Sequence, residues 1–97
     1  MMNLANRTEE LISILRGRYH MLIYSNNNEI FCTGGKLMDL PVQAWILPEL
    51  STVRFIVGLI GEKGGCLLIG DVNYMDISPL NVAIDAVMER FIGVIKN

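Results

Sequence analysis

The sequence has 97 residues, of which 52% are hydrophobic, and a formal net charge of −2 from 8 basic and 10 acidic side chains. This length predicts a single domain spanning residues 1–97, and the scattered basic residues form no patch that would attract nucleic acid. No apolar run approaches the roughly 18 residues that a membrane-spanning helix needs, and two cysteines without a secretion signal predict a cytoplasmic protein.

The N-terminal third predicts a helix followed by a β-hairpin. Asn6 is a candidate N-cap for the helix, and Gly17 is well placed to end it. Residues 19–25 are rich in strand-forming side chains, and residues 29–33 form a second strand of the same kind. The three asparagines at 26–28 between them tolerate left-handed backbone angles, which indicates a tight turn.

The middle segment predicts a short helix over residues 41–47. Pro41 suits the first turn of a helix. Pro48 ends it, because the residue before a proline avoids helical backbone angles. This element carries the apolar cluster of Trp45, Ile46 and Leu47.

The C-terminal half predicts a second hairpin and a helix. The stretch from Thr52 to Val72 contains two apolar strands around a glycine-bearing turn at residues 62–65, and neither strand has a polar face. Ser78 and Pro79 then mark the start of an amphipathic helix that runs to the end of the chain.

These elements predict an α+β fold in two layers. The order is helix, strand, strand, short helix, strand, strand, helix, with a mostly antiparallel sheet of four to five strands. The N- and C-terminal helices pack on this sheet.

The second apolar face of the hairpin needs a cover, because a sheet face left in water normally alternates to polar residues. The simplest cover is the same surface of another copy in a homodimer. The alternative is that the middle segment folds over this face within one chain. The expected interface residues are Trp45, Leu47, Arg54, Ile56, Ile60, Leu67 and Ile69.

The layout resembles that of Roadblock/LC7-type domains, which belong to the profilin-like folds. The stretch TEELISILRGRYHMLIYSNNNEIFCTGG at residues 8–35 is similar to their opening helix and hairpin, and SPLNVAIDAVMERFIGVIKN at residues 78–97 is similar to their closing helix. The resemblance implies a dimer that acts as a scaffold or adaptor, with a small GTPase or a subunit of a larger complex as its partner.

No set of side chains predicts catalysis, a bound cofactor or a metal site. His20 is the only histidine and has no neighbouring partner for acid–base work. Cys32 and Cys66 are too few for a zinc site, which takes four ligands. The protein is therefore expected to be a non-enzymatic regulatory module. The alternative is a small-molecule sensor of the PAS or GAF type, with the sheet lining a pocket and His20, Tyr24 and Cys66 as polar contacts.

Overall fold

The computed structural model describes residues 4–26, 28–58, 67–77 and 79–96. These residues form two helices and five strands in the order helix, five strands, helix. The elements are α1 (Leu4–Tyr19), β1 (Leu22–Asn26), β2 (Glu29–Leu37), β3 (Leu40–Leu47), β4 (Thr52–Val57), β5 (Leu68–Asn73) and α2 (Leu80–Lys96), with a 3₁₀ turn at Pro48–Leu50 between β3 and β4. The predicted α+β fold is confirmed.

The five strands form one antiparallel sheet in which each strand pairs with its neighbours in the sequence, in the spatial order β1-β2-β3-β4-β5. The predicted asparagine hairpin joins β1 to β2, with Asn26 paired to Glu29; Asn27 lies outside the described residues. The second predicted hairpin pairs β4 with β5, and its turn at residues 62–65 also lies outside the described residues.

The short helix predicted over residues 41–47 is wrong, because this segment is strand β3. Its side chains alternate: Val42, Ala44 and Ile46 are fully buried, whereas Trp45 is exposed. Burial on every second residue is the pattern of a strand with one face on a core. Pro41 is tolerated near the strand start, where its carbonyl accepts a hydrogen bond from the Gly58 amide at 2.9 Å.

Helix α1 extends beyond both of its predicted limits. Asn6 and Gly17 lie within the helix, which ends at Tyr19. His20 follows in the left-handed conformation with φ of 56°, a common way for a helix to end. The Met21 amide then donates a hydrogen bond to the Leu15 carbonyl at 3.1 Å, and the chain enters β1. His20 is therefore an exposed helix-end residue, not the strand residue that the sequence predicts.

Both helices pack on the same face of the sheet, called here the inner face. The inner face and the two helices form one hydrophobic core. The strands contribute Cys32, Leu37, Val42, Ala44, Ile46, Val53, Phe55 and Val57, and the helices contribute Leu11, Ile12, Leu15, Leu80, Ile84, Val87, Met88 and Phe91. Phe91 approaches the sheet closely, because a Cβ on Gly70 would lie only 2.8 Å from its Cζ.

Polar side chains link α1 to the C-terminal part of the chain. The Thr8 and Tyr74 hydroxyls are hydrogen-bonded at 2.9 Å in the interior. At the other end of α1, the Tyr19 hydroxyl donates to Asp85 Oδ1 at 2.6 Å, and Arg18 forms an ion pair with the same carboxylate. The contacts with Asp85 link α1 to α2, and the contact with Tyr74 links α1 to the segment between β5 and α2.

Candidate functional site

The sheet face opposite the helices, called here the open face, is covered by no other element among the described residues. Side chains alternate along each strand, so this face carries the residues that lie between the buried ones. Its principal members are Leu22, Tyr24, Glu29, Phe31, Thr33, Lys36, Trp45, Arg54, Ile56, Ile69 and Asp71. The open face is the candidate functional site because it holds large apolar side chains in contact with water.

The exposure of these side chains is substantial. Leu22 is 59% exposed, Ile69 57%, Tyr24 56% and Trp45 41%. Single exposed hydrophobic residues are ordinary on protein surfaces, whereas a contiguous group of them is a candidate binding surface.

One row of residues crosses all five strands at the centre of the open face. The strand register places Tyr24 beside Phe31, Phe31 beside Trp45, Trp45 beside Arg54, and Arg54 beside Asp71. The row is therefore aromatic over β1 to β3 and ionic over β4 and β5. Its formal charge is zero, since one arginine faces one aspartate.

Arg54 and Asp71 form a two-pronged ion pair. Arg54 Nε lies 2.7 Å from Asp71 Oδ1, and Arg54 Nη2 lies 2.9 Å from Asp71 Oδ2. The hydrogen bonds from Arg54 lower the pKa of Asp71, so this carboxylate stays charged at neutral pH. Both side chains are about half exposed, so the pair contributes little to folding stability. Its geometry does hold the guanidinium in one place.

The aromatic end of the row borders a groove. The rings of Phe31 and Trp45 meet edge to face, with centroids 5.8 Å apart and an angle of 68° between their planes. Aromatic pairs favour this arrangement. The groove has a volume of about 440 Å³ and is lined by Tyr24, Asn26, Glu29, Phe31 and Trp45. It is named here the aromatic groove.

The structure brings together five of the predicted interface residues: Trp45, Leu47, Arg54, Ile56 and Ile69 all lie on the open face. Leu47 lies two residues beyond Trp45 on β3 and is half-buried. The remaining two are Leu67 and Ile60. Leu67 precedes β5 and is 42% exposed, whereas Ile60 lies outside the described residues.

Sequence reasoning missed the contributions of β1 and β2 to this face. The sequence does not predict Phe31, Glu29 or Lys36 as interface residues, and it predicts Tyr24 only as a pocket contact. The available signal was the alternation of side chains along the strand. Cys32 is buried on the inner face. Its neighbours Phe31 and Thr33 therefore lie on the open face. The register that places Phe31 beside Trp45 depends on β3 being a strand.

Among the described residues, the other candidates form no site. Cys32 is fully buried and free, and burial raises the pKa of its thiol to about 11. Cys66, the cysteine expected as a pocket contact, lies outside the described residues. Within the described ranges, no three His, Cys, Asp or Glu side chains are grouped so that they could hold a metal ion.

Comparison with known proteins gives no relative: no protein-family model, no curated protein and no solved structure matches this chain. Neither of the two described helices is long and apolar enough to cross a membrane.

Proposed function

We propose that the protein is a small, non-enzymatic, cytoplasmic binding module that forms a homodimer through the open face of its sheet and acts as a scaffold or adaptor. The observation that carries the proposal is the contiguous exposure of aromatic and aliphatic side chains on that face, including Tyr24, Trp45 and Ile69. Removing such a surface from water is the main driving force of protein association.

The partner that covers the open face is a second copy of the chain, because the open face is complementary to itself. In a two-fold dimer each copy presents the same patch, so the patch must be complementary to a second copy of itself. The central row meets this condition, since it combines apolar rings with one neutralised ion pair of Arg54 and Asp71. Two sheets facing each other at the usual separation of about 10 Å would bury both rows.

The resemblance to Roadblock/LC7-type domains supports the same assignment, since that family forms dimers that act as scaffolds. By resemblance, the partner of the dimer is a small GTPase or a subunit of a larger complex.

The substitution Ile69→Glu is expected to convert the dimer to a monomer. It places a charge on the open face, where burial in an interface would remove that charge from water. The matched control is Val82→Glu, which changes an equally exposed apolar residue on α2, since both side chains are 57% exposed. Sedimentation equilibrium at micromolar concentration measures the mass of each protein. A monomeric wild type, or an Ile69→Glu variant that stays as dimeric as the control, would contradict the proposal.

A second candidate function is a small-molecule sensor, and the aromatic groove is the observation that favours it. Its volume of about 440 Å³ falls in the range of ligand sites, and Tyr24 lines it. Native mass spectrometry of the purified protein tests this candidate. A monomer that carries a stoichiometric small molecule would favour the sensor over the dimer.

A further inference from the structure

Strand β2 carries two exposed residues of opposite charge near its two ends. Glu29 opens the strand, and Lys36 lies one residue before its end. Lys36 belongs to the open face because the residues on either side of it, Gly35 and Leu37, are buried. Glu29 belongs to it because it lies two residues before Phe31 on the strand and lines the aromatic groove with that ring. Neither Glu29 nor Lys36 forms an ion pair with any other described residue.

The Glu29 end of β2 is also the end that borders the aromatic groove. The groove combines three aromatic side chains with the Glu29 carboxylate, and no basic side chain lines it. Aromatic ring faces attract cations, and the attraction increases when the cation is removed from water. The lining of the groove is therefore suited to a cationic group that arrives from outside the chain.

The described chain has few basic side chains that a second copy could bring to this groove. Arg54 is on the open face, but Asp71 already binds its guanidinium at two points. Arg7 is buried, and the other basic residues of the helices lie on the opposite side of the sheet. Among the residues that the structure describes, Lys36 is the remaining cation of the open face.

We infer that, in the dimer, Lys36 of the second copy enters the aromatic groove and forms an ion pair with Glu29, and that the reciprocal contact forms at the other end of the interface. A two-fold axis crossing β2 between Phe31 and Thr33 exchanges the two ends of the strand, so both contacts form together. The inference rests on the proposed function and specifies how the two open faces are aligned.

The test is a charge exchange within β2. Glu29→Lys leaves two lysines facing each other at both ends of the interface, and Lys36→Glu leaves two glutamates facing each other. Each single variant is expected to raise the dimer dissociation constant at least about 10-fold, because like charges at an interface repel. The double variant Glu29→Lys with Lys36→Glu restores opposite charges at both contacts, so its dissociation constant returns to within about 3-fold of the wild type.

Matched controls lie on α2, on the other side of the sheet. Glu89→Lys and Lys96→Glu make the same charge changes at exposed positions and are expected to leave the dissociation constant unchanged. Sedimentation equilibrium at low salt, where surface charges are least screened, provides the constants. Trp45 is the only tryptophan in the chain, so its fluorescence reports occupancy of the groove during dilution of the dimer.

The outcomes separate this inference from the proposed function. A wild-type dimer whose single variants dimerise as tightly as the controls would overturn the alignment and leave the dimer in place. A double variant weaker than either single variant would also overturn the alignment. A monomeric wild type would overturn both proposals. If Trp45 fluorescence of that monomer responded to tetramethylammonium, the groove would be assigned to a small cationic ligand.

Discussion

Replacing Phe55 by alanine is expected to lower the free energy of unfolding by about 3–5 kcal/mol. Phe55 is fully buried near the centre of the inner face. Its neighbours in register are Ala44 on β3 and Gly70 on β5. Because these two residues are small, neither has a side chain that could move into the space left by the ring, and the large side chain over Gly70, Phe91, is already packed against the sheet there. The substitution should therefore leave most of the cavity unfilled.

The expected loss is a large part of the total free energy of unfolding, since domains of this size are stable by only about 5–15 kcal/mol. Urea denaturation followed by circular dichroism measures this loss. The slope of the free energy of unfolding against urea concentration should stay the same if only stability changes. The control is Phe55→Leu, which keeps most of the volume and is expected to cost about 1.5 kcal/mol or less. If Phe55→Ala lowered the free energy of unfolding by no more than Phe55→Leu, the packing described for the inner face would be wrong.

The core around Phe55 illustrates what the sequence allows one to predict. Alternation along residues 52–57 correctly predicts that Val53, Phe55 and Val57 share one face and that Arg54 and Ile56 share the other. The two-sided apolar character of β4 also indicated that the second face needs a partner. Local patterns suffice here because a strand has a two-residue period whatever its neighbours are.

The middle segment was predicted wrongly because its sequence carries a helix signal and no clear strand signal. The spacing of Pro41 and Pro48 matches the start and stop signals of a short helix, and residues 44–47 are all apolar, so the alternation that the structure shows is not visible in the sequence. The turn that makes β3 pair with β2 contains Met38 and Asp39, both with positive φ, at 51° and 69°. Such hairpin turns favour Asn and Gly, so the sequence gives little sign of this one.

The candidate site was predicted only in part for the same reason. Trp45 could be proposed from its residue type, because tryptophan is enriched at interface hot spots. Its contact with Phe31 and the groove beside Glu29 depend on the pairing of β2 with β3. That pairing contains an irregularity between Cys32 and Gly35, with Gly34 at a φ of 89°. An irregularity of this kind shifts one strand against the other. The glycine pair at 34–35 is compatible with a bulge, but it is equally typical of the turn that ends a strand.

Raising the pH from about 9 to about 11 is expected to remove about 2 kcal/mol of stability through Cys32 alone. Burial raises the pKa of this thiol to about 11, and the positive charge of Arg16 offsets only part of the increase. Above pH 9 the unfolded chain loses the thiol proton while the folded chain retains it. Unfolding then releases a proton, so stability falls as the pH rises and levels off once the folded thiol also ionises.

The control for this prediction is Cys32→Ala, which removes the titrating group and leaves a small cavity. Tyr19 titrates in both proteins, and its raised pKa adds the same slope to each curve above pH 10. The difference between the two curves therefore isolates Cys32. Urea denaturation at intervals from pH 8 to pH 11 measures both curves. Parallel curves of stability against pH over this range would mean that the Cys32 thiol is exposed to water. Cys32 would then not be buried on the inner face as the structure describes.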